Sequence, residues 1–302
     1  MNAETTITEY PETKTGKQSP EQVQESVSPE AVQSSNGQMP GTGLDPAKMP
    51  GHWLLARLGK RVLRPGGRRL TDQMLTNLNI TGEDRVVEFA PGLGYTTRKT
   101  LARNPQFYTA IDRDPAAAAR VRKLLSGSNA RCLVADACDT GLPDRSASAV
   151  YGEAMLSMQP EAKKHRIVQE AFRVLAPGGR YGIHELLLTP DDITAERKAD
   201  IKSDLSRAIK VGARPLTTGE WRTLLTGAGF EVEAVATAPM HLLRLPRMVS
   251  DEGITRTMKI MWNVLRNPAA RRRVQDMRST FKRYESSLGA VMVLARKPLP
   301  AA

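Results

Sequence analysis

The run Val86-Val87-Glu88-Phe89-Ala90-Pro91-Gly92-Leu93-Gly94-Tyr95-Thr96-Thr97 decides the fold. A short apolar strand ends at an acidic residue, passes into a glycine-containing turn and opens a helix. Glycine reaches positive φ freely and has no Cβ, so Gly92 and Gly94 let backbone come close to a ligand. The helix that follows presents N–H groups without intrahelical partners. Alone, such a turn fits a nucleotide-like ligand or a plain tight turn.

Working outward, Phe107–Ile111 reads as a second strand ending at Asp112, 18 residues past Gly94. A carboxylate at that strand end can accept from both hydroxyls of a ribose. Leu133-Val134-Ala135-Asp136-Ala137 closes a third strand. Asp136 there can accept from an exocyclic adenine amine, and a following N–H can donate to the ring. Phe172–Arg180 reads as a helix end and turn, with Gly178 or Gly179 as the left-handed stop. A dinucleotide fingerprint wants a third glycine near position 97, where Thr97 stands.

Strands are predicted at 85–90, 107–112, 130–135, 147–152 and 179–188, alternating with helices at 95–103, 115–126 and 160–175. That alternation builds βαβ units and a doubly wound α/β sheet, mostly parallel. Right-handed crossovers gather the strand C-terminal ends along one ligand-binding edge. Downstream come a helix at 193–210, one capped by Thr217-Thr218, and a strand at 230–237. A helical insertion at about 239–285 precedes a last strand at 288–295, making seven strands. Upstream, 52–63 reads as a basic helical cap ended by Arg64-Pro65-Gly66-Gly67, with Thr71 as N-cap of the next helix.

In order and spacing these signals resemble the Rossmann-like, class I S-adenosylmethionine-dependent methyltransferases, over about residues 70–237. The resemblance implies S-adenosylmethionine as cofactor, with contacts from Glu88, Ala90, Gly92, Gly94, Asp112, Arg113, Asp136, Ala137 and Glu153. Glu88 would hold the methionine amino group, directly or through water. Asp112 would take the ribose, and Asp136 with Ala137 the adenine. The pattern departs where Ala90-Pro91 replaces the first family glycine.

The segment from Arg214 to Phe230 is similar to the helix and Gly-Phe turn of small-molecule enzymes such as the ubiquinone/menaquinone and sterol methyltransferases. The Glu88–Gly94 loop also resembles the rRNA adenine dimethyltransferases. Those enzymes carry an Asn/Asp-Pro-Pro-Tyr motif that clamps a flipped base. Tyr151-Gly152-Glu153-Ala154-Met155 stands there instead, and no Pro-Cys nucleophile is present. A small, lipophilic acceptor is therefore expected ahead of nucleic acid. RNA methylation, NAD(P)-dependent oxidoreduction and non-catalytic cofactor binding are the competing readings.

Methyl transfer from a sulfonium needs mainly proximity and alignment. A base matters only if the acceptor proton must leave early. Glu153 and His184 are the catalytic candidates, beside Tyr151 and Glu185; His165 reads as surface, and His241 carries no signal. Apolar positions 254, 258, 261, 262 and 265 share one helical face. That face can be core, a lid over a hydrophobic acceptor with Trp262 and Met258 lining it, or a contact with anionic lipid.

The 302 residues allow one large domain or two small ones. Residues 1–48 are polar and acidic and are expected to be a disordered tail, with the catalytic domain at 49–302. No secretory signal or membrane-length apolar run is present. Cys132 and Cys138 read as free thiols of a reducing cytoplasm, and no metal site is expected. The formal charge of +12 is uneven: residues 241–302 hold 13 basic and 4 acidic side chains. A basic third of this kind is a solvated face, or meets anionic lipid or nucleic acid. Oligomeric state is not set by the sequence.

Overall fold

A computed structural model describes residues 45–300. Most of the expected 1–48 tail lies outside the described residues. Asp45–Met49, however, forms a packed turn in which Met49 is fully buried, so the folded part starts before the expected boundary at 49.

The strands are β1 (Arg85–Phe89), β2 (Phe107–Asp112), β3 (Ala130–Val134), β4 (Ala147–Glu153), β5 (Leu175–Leu188), β6 (Leu216–Thr217), β7 (Glu231–Pro239) and β8 (Leu288–Arg296). They form one sheet in the order β3-β2-β1-β4-β5-β8-β7, with the two-residue β6 pairing β5 off this path. The pairings from β3 through β5 are parallel, and β8 runs antiparallel between β5 and β7. The order reverses at β1, so the crevice for a ligand opens between β1 and its neighbours.

The helices are α1 (Gly51–Arg57), α2 (Gly67–Leu78), α3 (Tyr95–Leu101), α4 (Pro115–Arg122), α5 (Glu161–Val174), α6 (Ala195–Ile209), α7 (Thr218–Gly227), α8 (Leu245–Glu252), α9 (Ile254–Arg266) and α10 (Pro268–Arg283). Their starts follow local chemistry. Asp114 accepts from Ala116 and Ala117 N–H before Pro115-led α4, and Thr217 with Glu220 forms a reciprocal capping box on α7.

Apolar faces decide the layers. Leu70, Met74, Leu75 and Leu78 of α2 pack with Val121 of α4 on one sheet face. Ile167, Val168 and Ala171 of α5 and Trp221 and Leu225 of α7 cover the other. Each fully buried side chain of this size contributes about 1.5–3 kcal/mol. Trp221 meets its polar requirement by donating to the Leu186 carbonyl at 3.0 Å. A third cluster joins Leu54 and Leu55 of α1, and Leu58 just after it, to Ile201 and Leu205 of α6 and Met277 and Phe281 of α10. It forms a helical cap over the strand ends. Arg273 fastens it, donating to the carbonyls of Pro46, Ala47, Met49 and Ala208.

Three local expectations are corrected. Thr71 does not cap α2: the helix starts at Gly67 after Gly66 at φ 71°, and the Thr71 hydroxyl turns inward. Gly178 is not a helix stop: α5 runs straight into β5, and Gly178 at φ 77° sits where the β4–β5 register shifts. The 254–266 stripe is neither core nor lid. Ile254, Met258, Met261, Trp262 and Leu265 all face outward.

Candidate functional site

The loop after β1 holds three residues in the left-handed region: Ala90 (φ 52°), Gly92 (φ 55°) and Gly94 (φ 70°). A Cβ added at Gly92 would meet nothing within 4 Å, because that face opens onto a cavity. Gly94 is the N-cap of α3. Ala90 adopts the same region with a side chain, at a cost of about 1 kcal/mol or more. Its N–H donates to the Ile111 carbonyl at 2.8 Å, which holds it there.

Asp112, at the end of β2, accepts from Gly92 N–H at 3.4 Å and from Asp114 N–H at 3.0 Å. Burial pushes its carboxyl up to about 6, against those two backbone donors. Asp136 accepts from Lys163 at 2.5 Å and from Cys138 N–H at 3.1 Å. Burial works against its charge, but Lys163 and Cys138 hold its pKa below the ordinary value. Glu88, Ala90, Gly92, Asp112, Arg113, Asp136, Ala137 and Glu153 all line one cavity. Gly94 does not reach its wall.

Glu88 is buried, with one oxygen accepting from the hydroxyls of Tyr108 and Thr97. Burial raises its pKa to about 7, although those hydroxyls and that of Tyr151 favour the charged form.

Neither catalytic candidate is arranged as a base. Glu153, the last residue of β4, is no loose carboxylate. It lies 3.1 Å from Arg64, 2.8 Å from His184, and accepts from Thr71 at 2.6 Å and Thr96 at 2.5 Å. Burial opposes its charge, yet Arg64, His184 and Thr71 outweigh it and hold the pKa at about 2. A carboxylate so stabilised takes up protons poorly. His184 is fully buried, off the cavity wall, with Nε2 donating to the Pro65 carbonyl at 2.6 Å and Nδ1 facing Glu153. Neither ring nitrogen is left for an acceptor. Glu185 is spent too, accepting from the N–H groups of Met155, Leu156 and Ser157.

Of the four histidines, only His52 lines the cavity. Burial lowers its pKa to about 4, with Asp114 opposing, so its ring is neutral near pH 7. The cavity measures about 390 Å³. Its wall joins the acids and the β1 loop to an apolar group from the cap side, Leu205, Ile209, Val211, Met240, Leu242, Met277 and Phe281. Sequence reasoning missed this apolar group and the Arg64–Thr71–Thr96 anchors of Glu153. Thr96 stands inside the quoted motif and Arg64 at the noted turn, but nothing local pairs them. Among the described residues no cluster of three or more His, Cys, Asp or Glu could hold a metal ion.

A family described as a methyltransferase domain matches residues 86–179. An uncharacterised protein of Haemophilus influenzae is 31% identical over 251 residues, covering 82% of this chain and 98% of its own. The 27-O-demethylrifamycin SV methyltransferase of Amycolatopsis mediterranei is 26% identical over 238 residues, 76% of this chain and 83% of its own. Among solved structures, the [4+2]-cyclase SpnF superposes with a TM-score of 0.62 at 17% identity, over 83% of this chain and 97% of that one. Phosphoethanolamine N-methyltransferase 2 of Haemonchus contortus, in complex with S-adenosyl-L-methionine, superposes at 0.61 and 16% identity, over 82% and 57%. These structural likenesses concern the fold.

Proposed function

The chain belongs to the class I S-adenosylmethionine-dependent methyltransferases, and from that premise we propose that its acceptor is a small lipophilic molecule seated against the apolar side of the cavity. The residues present fit the cofactor. An adenosyl group needs carboxylate acceptors for its ribose and amine, apolar walls for its purine, and a backbone that leaves room. Asp112 and Asp136 are such acceptors, Ile111, Ala135 and Ile167 such walls, and Gly92 such a backbone. Glu88 would meet the methionine amino group.

S-Adenosylmethionine, when bound, supplies a methyl group on a sulfonium, an already activated leaving group. The protein's own residues place and exclude. Glu153, through Thr96 and Arg64, ties the start of α3 to the segment before α2 and keeps the β1 loop in shape. Trp53 and Leu55 of α1 and Phe281 of α10 add apolar surface to the cavity wall.

The observation that carries the acceptor class is the convergence of Ile209, Met240, Met277 and Phe281 on the same cavity as the acids. A relative named for 27-O-demethylrifamycin SV as acceptor agrees with a small molecule. The free thiols Cys132 and Cys138 support a cytoplasmic setting. Among the described residues no helix is long and apolar enough to cross a membrane.

The test is a transfer of labelled methyl from S-adenosylmethionine into fractionated cell extract by the full chain. Label is expected in a low-mass fraction soluble in organic solvent, and to be lost with Ile209→Asp while S-adenosylhomocysteine binding persists. Label in RNA, protein or polar metabolites would overturn the reading.

A further inference from the structure

The outward face of α9 has no partner among the described residues. Ile254, Met258, Met261, Trp262 and Leu265 are each at least 44% exposed, and Trp262 reaches 56%. At 100° per residue these five span an arc of about 100°. The opposite side is spent on packing: Thr257 and Ile260 are buried, Asn263 donates to the Leu58 carbonyl at 3.0 Å, and Arg256 reaches Gly59 at 3.4 Å. The helix is therefore fastened to the body by one face and presents large apolar side chains with the other.

Charge says what covers them. Residues 253–275 contain six basic side chains and no acidic one. Lys259 and Arg266, both exposed, fall on the flank next to the apolar arc, and Arg266 lies over the Trp262 ring at 4.8 Å. Arg271 and Arg272 are exposed at the start of α10. An apolar arc with basic neighbours matches the acyl–headgroup boundary of an anionic bilayer, where apolar side chains enter and cations meet phosphates. A neutral apolar partner would leave the basic rim unanswered.

The structure assigns this face a partner: we propose that α9 docks the protein in-plane on an anionic lipid surface. The contact does not depend on the acceptor reading. Its position agrees with that reading nonetheless, because α9 packs on Leu58 and Gly59, directly after the helix that supplies Trp53 and Leu55 to the cavity.

The test is co-sedimentation of the full chain with phosphatidylcholine vesicles, with or without phosphatidylglycerol. Binding is expected only to the anionic vesicles, to weaken with salt, and to shift Trp emission to the blue. Met258→Asp with Trp262→Asp is expected to weaken binding at least about tenfold. Lys259→Gln and Arg266→Gln are each expected to weaken it about fivefold. Trp262→Phe, which preserves the apolar face, is expected to keep binding and lose the blue shift. Unchanged S-adenosylhomocysteine affinity in every variant separates docking from folding and from the cofactor site. Equal binding to both vesicle types, binding untouched by the variants, or a dimer that Met258→Asp dissociates would overturn the proposal.

Discussion

Asp112 has two tasks at one strand end. Its carboxylate takes the Gly92 and Asp114 N–H groups, which shapes the β1 loop, and it faces the cavity. Asp112→Ala removes the ribose acceptor and frees the loop together. Hydrogen bonds to charged groups contribute about 1.5–3 kcal/mol each, so S-adenosylhomocysteine affinity is expected to fall about 10- to 100-fold by calorimetry. An unchanged affinity would remove Asp112 from the site. Glu88 makes a different prediction, about pH. Burial raises its folded-state pKa from 4.5 to about 7, so the folded chain keeps a proton that the unfolded chain has lost. Such a group contributes its stability in full below pH 4.5 and loses it as pH rises towards 7. Asp112 acts with the same sign up to about 6. Glu153, at about 2, acts with the opposite sign, and only as pH falls below 4.5. Glu88→Gln is therefore expected to gain thermal stability relative to wild type as pH rises through the Glu88 window. A melting-temperature difference that does not change with pH would refute that origin.

At the scale of elements, one buried side chain ties the parts of the cap to one another. Arg273 of α10 donates to four carbonyls, three in the segment leading into α1 and one near the end of α6. Arg273→Met keeps the volume but strands those acceptors, and is expected to cost about 2–4 kcal/mol. Hydrogen exchange should quicken in α1 and α10 first and spare β1 and β4; uniform quickening would show that the cap is no separate unit. Elements of this kind also mark the limit of what the chain displays locally. Strands β1, β2 and β4 were readable because parallel central strands are apolar on both faces and carry an acid at or next to their C-terminal ends, and β3, at the sheet edge, was readable from the Asp136 that follows it. The α9 periodicity was equally readable, but a period reports that a stripe exists and not which way it faces. Thr71 carried a cap-forming side chain, yet Gly66 and Gly67 started α2 earlier and freed its hydroxyl for Glu153. The anchoring of Glu153 was not readable because Arg64, Thr71, Thr96 and His184 approach it from four separate segments. The apolar side of the cavity escaped for the same reason, since Leu205, Met240 and Phe281 meet only in three dimensions.

Across the whole molecule, the sheet edge and the cap contribute two sets of side chains to one cavity, acids from the first and apolar groups from the second. The acids belong to the β1–β3 ends, whereas Met277 and Phe281 belong to α10. Cofactor affinity and acceptor affinity should then be separable by mutation. Phe281→Ala removes a phenyl ring from the apolar side, which is expected to raise acceptor KM by more than about tenfold, since a single methylene is already worth that much in a hydrophobic pocket. It should leave S-adenosylhomocysteine affinity unaltered. Asp112→Ala should do the reverse. Substitutions that share no partner add in free energy, so in the double variant the two losses in kcat/KM should multiply to within about twofold. The measurement is a cycle of four proteins, each assayed for S-adenosylhomocysteine binding and for methyl transfer to the acceptor found in the extract screen. A double variant far better than the product would mean that α10 and the β1 loop move as one body, and that the cap closes on the cofactor as well as on the acceptor. A cofactor affinity lowered by Phe281→Ala alone would lead to the same conclusion, and the division of the cavity wall into two independent sets would have to be abandoned.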